Sequence, residues 1–214
     1  MRRRLLSISK KAVATQCIIK FCENKMSFDE FWKEYIENEN IRKLLLNNLN
    51  NFHIYTFRDY IMDIENIKKI DITNLEIRLT IFRFLKNFLL SMGYKIESYS
   101  PDEYLYNLLS QAIPDWLRGQ KMDIFINIFD NIGPNLTIDQ RLKKLKQSIC
   151  ETFIFIDYPP KWLQTSEWPV VSGKPLIFCR QSQFPEDISH ESNNIVYYFK
   201  NKEGDSTTEV VQFD

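Results

Sequence analysis

The chemistry-bearing side chains of this chain are sparse and poorly spaced for a shared task. Only two histidines are present, far apart in sequence. His190-Glu191 is followed by Ser192, Asn193 and Asn194, so the pattern in which a second histidine lies one helical turn on and completes a zinc site is absent. His190 reads as a loop residue. Cys17 and Cys22 are separated by more than a two-residue knuckle, are poorly phased for one helix face, and have no complementary second pair. The five glycines, Gly93, Gly119, Gly133, Gly173 and Gly204, are too dispersed for a phosphate-cradling loop or a dinucleotide fingerprint. No serine is flanked by the glycines of a nucleophile elbow. Carboxylates such as Asp59, Asp63 and Glu65 could be imagined in acid/base work, but such runs ordinarily form a solvated helix edge. The expectation is a non-enzymatic protein that needs no cofactor and no metal.

Composition points the same way. Hydrophobic residues make up 44% and charged residues 26% of the 214-residue chain, enough apolar material for a real core and too little charge for disorder. Lys+Arg and Asp+Glu both total 28, so net charge supplies no general attraction to nucleic acid or anionic membrane. Arg2, Arg3 and Arg4 resemble the basic start of an export signal, but Ser7, Ser9, Lys10 and Lys11 interrupt what would be its apolar segment. Residues 75–92 are the greasiest stretch, yet Glu76, Arg78, Arg83, Lys86 and Asn87 break it. The four cysteines, Cys17, Cys22, Cys150 and Cys179, are scattered among apolar neighbours, which suits reduced thiols and a cytoplasmic location.

The elements that position these residues are signalled by local hydrogen-bonding pairs. A Ser or Thr three residues ahead of Glu or Gln can exchange bonds with the unsatisfied N–H groups of a helix start. Ser27 with Glu30, Thr73 with Glu76, Ser100 with Glu103 and Thr137 with Gln140 all fit, and Pro101 occupies a first helical position. Behind Ser27, Phe28, Phe31, Trp32, Tyr35 and Ile36 form an apolar stripe opposite Asp29, Glu30, Lys33, Glu34 and Glu37. Behind Thr73 a wide apolar face runs to Met92, and Gly93 marks the exit. Further helices are expected at about residues 11–23, 41–49, 101–112, 121–132 and 138–155. The pattern changes at Asp157, after which Pro159, Pro160, Pro169, Pro175 and Pro185 interrupt helix formation. Residues 175–179 are β-prone, and 195–199 with 208–213 read as a hairpin turning near Gly204. The expected fold class is α+β, a mostly helical domain over residues 1–156 and a small β-rich module over 157–214 packed on it.

Two charged surfaces stand out as binding candidates. Glu23, Asp29, Glu30, Glu34, Glu37 and Glu39 make the helix after Ser27 and its flanks acidic, whereas residues 2–20 and 141–146 are basic. Either can be a solvated helix face. The acidic one can also steer a cationic partner at an elevated association rate.

The densest motif is Pro159-Pro160-Lys161-Trp162-Leu163-Gln164, then Glu167-Trp168-Pro169 and Gly173-Lys174-Pro175-Leu176-Ile177-Phe178. Its tryptophans are expected to pack on neighbouring strands as architecture, with Gln164 and Glu167 satisfying backbone groups. This stretch resembles a segment of bacterial immunity proteins encoded beside polymorphic or contact-dependent growth-inhibition toxins. The hairpin Val196-Tyr197-Tyr198-Phe199 with Val210-Val211-Gln212-Phe213 is similar to the close of that module. Phe28-Asp29-Glu30-Phe31-Trp32, Ile41-Arg42-Lys43-Leu44-Leu45 and Ile113-Pro114-Asp115-Trp116-Leu117 are similar to its helical part. The resemblance implies stoichiometric binding and neutralisation of a cognate toxin's C-terminal domain, such as a nuclease, with no direct contact to nucleic acid or membrane. A protein-interaction or structural module without a toxin partner is the alternative. No family toxin-binding residue maps onto this chain, so the toxin-binding candidates rest on charge: Asp29, Glu30, Glu34 and Glu37.

Overall fold

Three of the four expected capping pairs form. In the computed structural model, which describes residues 2–46, 70–183, 194–204 and 206–213, with side chains from residue 10 onward, both reciprocal bonds join Ser27 to Glu30, Ser100 to Glu103 and Thr137 to Gln140. The fourth pair does not. Asn74 is the cap, its Oδ1 accepting from the N–H groups of Glu76 at 2.9 Å and Ile77 at 3.2 Å. Thr73 instead donates through both its N–H and its hydroxyl to Asp71 Oδ1, at 3.0 and 2.6 Å. A short amide side chain at the adjacent position reaches the same donors, and the aspartate two residues upstream captures the threonine in a local turn.

The chain is α+β, and its described residues divide into two compact units, Met1–Leu105 and Tyr106–Asp214. That division falls inside a helix rather than at the change of composition near Asp157. The first unit holds α1 (Arg2–Cys22), α2 (Phe28–Glu37), α3 (Glu39–Leu46), α4 (Leu75–Ser91) and the first turn of α5 (Pro101–Ala112). The α1 helix begins earlier than the apolar periodicity suggested, since Arg and Leu are strong helix formers in their own right. Residues 47–49 of the helix expected at 41–49 lie outside the described residues. The core of this unit is aromatic: Phe21 stacks on Phe31 at 4.4 Å and meets Phe28 and Phe82 edge-on. Phe82, Leu85, Phe88 and Leu89 of α4 fill the space beneath. The exit of α4 is a Schellman turn, with Gly93 at φ +86°, its N–H on Leu90 O and the Tyr94 N–H on Leu89 O, both at 3.0 Å.

The second unit contains the rest of α5, a short 3-10 turn (Asp115–Leu117), α6 (Met122–Asp130), α7 (Ile138–Thr152) and five strands. The α7 helix stops at Thr152, short of the expected residue 155. Residues 153–156 are a run of phenylalanine and isoleucine. They go extended, with the Phe178 N–H on Ile154 O at 2.9 Å and the Ile156 N–H on Phe178 O at 3.1 Å. β1 (Val170–Val171) and β2 (Lys174–Pro175) form a minimal hairpin whose central residues, Ser172 and Gly173, both have positive φ, the type I′ geometry that suits strand twist. β3 (Ile177–Gln183), β4 (Ile195–Lys200) and β5 (Thr207–Gln212) make an antiparallel sheet in that order, so the expected hairpin forms. β3 runs further than residues 175–179 suggested and carries a bulge at Cys179.

The tryptophan-proline segment is scaffold. Trp168 is 2% exposed, packs on Trp116, Phe153, Phe178 and Phe199, and donates its indole N–H to Leu176 O at 2.7 Å. Trp162 lies against Tyr197 and donates to Trp116 O at 2.8 Å. Two glutamines from distant positions hold the backbone between them. Gln120 accepts from the Trp168 N–H at 2.9 Å and donates to the Trp168 carbonyl at 3.0 Å. Gln212 accepts from the N–H groups of Leu163 and Gln164 and donates to Thr165 O at 2.8 Å. Of the two residues expected in that role, Gln164 does bond a backbone group, the Phe213 carbonyl at 2.7 Å, but Glu167 is exposed.

Gly119 is required where the chain turns beneath this segment. Its φ is +88°, and a Cβ there would stand 2.7 Å from Thr165 Cβ. Gly119→Ala should therefore cost about 1–3 kcal/mol in denaturant unfolding, combining backbone strain with a clash. In a Thr165→Gly background, which lacks the Cβ it would strike, the same substitution should lose the steric part of its cost and keep the strain. Full stability in Gly119→Ala alone would contradict this geometry.

Candidate functional site

The α2 helix is held at both ends. At its start, Glu30 Oε2 accepts from the Ser27 N–H at 2.8 Å and the Ser27 hydroxyl at 2.9 Å, while Ser27 Oγ accepts from the Glu30 N–H at 3.3 Å. At its end, the Arg42 guanidinium donates to the carbonyls of Tyr35, at 2.8 Å, and Ile36, and the Asn38 N–H closes on Glu34 O. A cation at that terminus also suits the helix dipole. Phe28, Phe31, Trp32 and Tyr35 are buried beneath, with Trp32 stacked on both Phe28 and Tyr35. The opposite face is thereby fixed in direction.

That face carries all four sequence candidates. Asp29, Glu30, Glu34 and Glu37 are exposed. Glu30, Glu34 and Glu37 follow one another at helical spacings of four and three, so like charges stand in a row, an arrangement that disfavours the isolated helix. The flanking acids are neutralised: Glu23 pairs with Lys25 at 2.7 Å and Glu39 with Lys43 at 2.8 Å. Among the described residues, no ion pair involves Asp29, Glu34 or Glu37. Lys33 is the one cation set among them.

Glu30 has a second duty. The hydrogen bonds from Ser27 hold its carboxyl below the usual glutamate range. With the folded pKa depressed, the cap's contribution is present above the unfolded pKa and is lost as pH falls through the folded one. A carbon-detected titration should accordingly place the Glu30 midpoint below that of a free glutamate, and Ser27→Ala, which keeps the backbone N–H bond and removes the hydroxyl one, should move it part of the way back up. An unchanged midpoint in Ser27→Ala would show that the Ser27 hydroxyl contributes nothing to stabilising the charge.

Beside the start of α2 lies a cleft of about 390 Å³ that sequence reasoning missed. Its lining comes from three separated segments: Phe21, Asn24 to Phe28 and Glu30 around the α1–α2 corner, Arg78 and Phe82 on α4, and Ser100 to Asp102 at the start of α5. Arg78 lies 4.9 Å over the Phe28 ring and bonds Asp102 Oδ2 at 2.9 Å, a partly buried pair that ties α4 to α5. The only sequence signal for it was the pair of capping boxes, since Ser27 and Ser100 both reach its rim.

The basic surface in the second unit is less free. Arg141 donates to Pro134 O at 2.7 Å and sits 5.6 Å over the Phe129 ring, leaving Lys143, Lys144 and Lys146 exposed. Asp59, Asp63, Glu65 and the His190-Glu191 pair lie outside the described residues. Among the described residues, no group of three or more His, Cys, Asp or Glu side chains is placed to hold a metal ion. Cys22 is buried, which pushes its thiol up to about 12 and keeps it protonated and unreactive near neutrality. No helix among the described residues is long and apolar enough to cross a membrane.

No protein-family model, no curated protein and no solved structure matches this chain.

Proposed function

We propose that this chain is an immunity protein that binds and neutralises the C-terminal domain of a cognate bacterial toxin in the cytoplasm of the producing cell. The observation that carries this reading is the exposed acidic row on α2, which is anchored at both ends and in which Asp29, Glu34 and Glu37 make no ion pair among the described residues. A row of like charges that works against its own helix is understandable if a cationic surface completes it. Toxin domains that cleave nucleic acid carry such surfaces, because they must engage phosphates. The resemblance of residues 159–178 to the immunity-protein segment supports the same reading. Inhibition of this kind asks for shape and charge complementarity, both of which a fixed helix face supplies.

The test is protection. The C-terminal domain of a large toxin encoded immediately upstream is expressed from an inducible promoter, with and without this chain. Growth arrest relieved only by co-expression supports the proposal; arrest unaffected by the chain refutes it.

A further inference from the structure

The two edges of the β3-β4-β5 sheet are treated differently. Along β3, Phe178 bonds Ile154 and Ile156 through its N–H and carbonyl, a bulge interrupts the register at Cys179, and Gln181 Oε1 accepts from the Lys161 N–H at 2.7 Å. That edge is covered and bent. β5, the other outer strand, has six residues in unbroken register with β4, no proline, no lysine and no bulge.

Which of its backbone groups face outward follows from the hairpin. The Asn201 N–H donates to Ser206 O at 3.3 Å, so residues 201 and 206 form a hydrogen-bonded pair. Alternation then makes Lys200–Thr207, Tyr198–Glu209 and Val196–Val211 the pairs without cross-strand bonds. The N–H and C=O groups of Thr207, Glu209 and Val211 therefore point away from β4. Among the described residues nothing hydrogen-bonds them from outside, and the free run ends at Phe213, whose carbonyl is taken by Gln164. Natural sheets blunt such an edge unless it pairs with something.

We propose that the outer edge of β5 is a strand-addition site for an extended segment of a partner protein, with a basic residue placed opposite Glu209. The charge comes from the cross-strand row Arg180–Tyr198–Glu209: Arg180 lies 4.7 Å over the Tyr198 ring, and Glu209 ends the row exposed. A fourth strand places its next residue directly beside that carboxylate, where opposite charge stabilises and like charge does not. A second copy of this chain is the poorer occupant. The antiparallel register that uses all three outward residues sets Glu209 against its own counterpart. The surface is distinct from the acidic row on α2, and the inference stands independently of the toxin.

The probe is an acetylated and amidated octapeptide of alternating valine and lysine, titrated into the isotope-labelled full chain. The expected result is amide shift changes and slowed exchange confined to Thr207, Glu209, Val211 and their neighbours, several-fold weaker when the lysines become glutamates. Val211→Pro removes an outward N–H without touching a ladder bond and should abolish the response while cross-strand contacts between β4 and β5 persist. Glu209→Lys should reverse the charge preference. The proposal is overturned by any of these outcomes: no binding, perturbation elsewhere, a response unchanged in Val211→Pro, equal response to the glutamate peptide, or dimerisation through β5 without peptide.

Discussion

Trp168→Ala should unfold the second unit at a markedly lower temperature than any surface change does. The indole is 2% exposed and meets four other aromatic rings, so its removal leaves a cavity the surrounding rings cannot close. It also leaves the Leu176 carbonyl without its donor. Truncation of a buried tryptophan costs about 3–5 kcal/mol. For a chain of this size that corresponds to a fall of roughly 6–20 °C in Tm. Trp168→Phe, which retains most of the volume and loses the N–H, should fall between the two. Near-wild-type melting of Trp168→Ala, joined to loss of partner binding, would move the residue from scaffold to interface.

The second large effect is on association. Replacing Asp29, Glu34 and Glu37 together by lysine leaves the capping glutamate and the buried face of α2 intact, so the helix should persist in circular dichroism. Against a cationic toxin domain the association rate should drop by about tenfold or more at low ionic strength. The deficit should shrink as salt is raised, because the screening length falls from about 10 Å at 0.1 M to about 3 Å at 1 M. The control is α7: reversing Lys143, Lys144 and Lys146 should leave the rate unchanged or raise it. If that change abolishes protection while the α2 change does nothing, the basic helix is the interface.

Features set by near neighbours in sequence were legible before the structure was known. The α2 stripe, its acidic face and the Ser27–Glu30 cap involve contacts within one or two helical turns, which periodicity reports directly. Thr73 failed for a local reason too: two candidate caps stood side by side, and a spacing rule cannot decide between them once Asp71 competes for the threonine. Features made by distant partners were not legible. The Gln120 bond to Trp168 spans 48 residues, and nothing in the surroundings of Gln120 marks it as a clamp. The extended run after α7 looked helical because its pairing partner, Phe178, lies far along the chain. The cleft beside α2 needed three separated segments to meet, so its ion pair between Arg78 and Asp102 had no one-dimensional signature. The division into compact units at Leu105 and Tyr106 has no signal in composition, since compactness follows contacts whereas composition follows residue type.

Binding of the proposed toxin partner is measured by calorimetric titration of the purified C-terminal domain of a toxin encoded upstream into the purified chain. The expected result is a saturable one-to-one complex in which the toxin's activity is lost in step with occupancy, and in which the Asp29, Glu34 and Glu37 reversal binds more weakly than the wild type. Absence of heat and of inhibition at concentrations where both proteins are folded would contradict it.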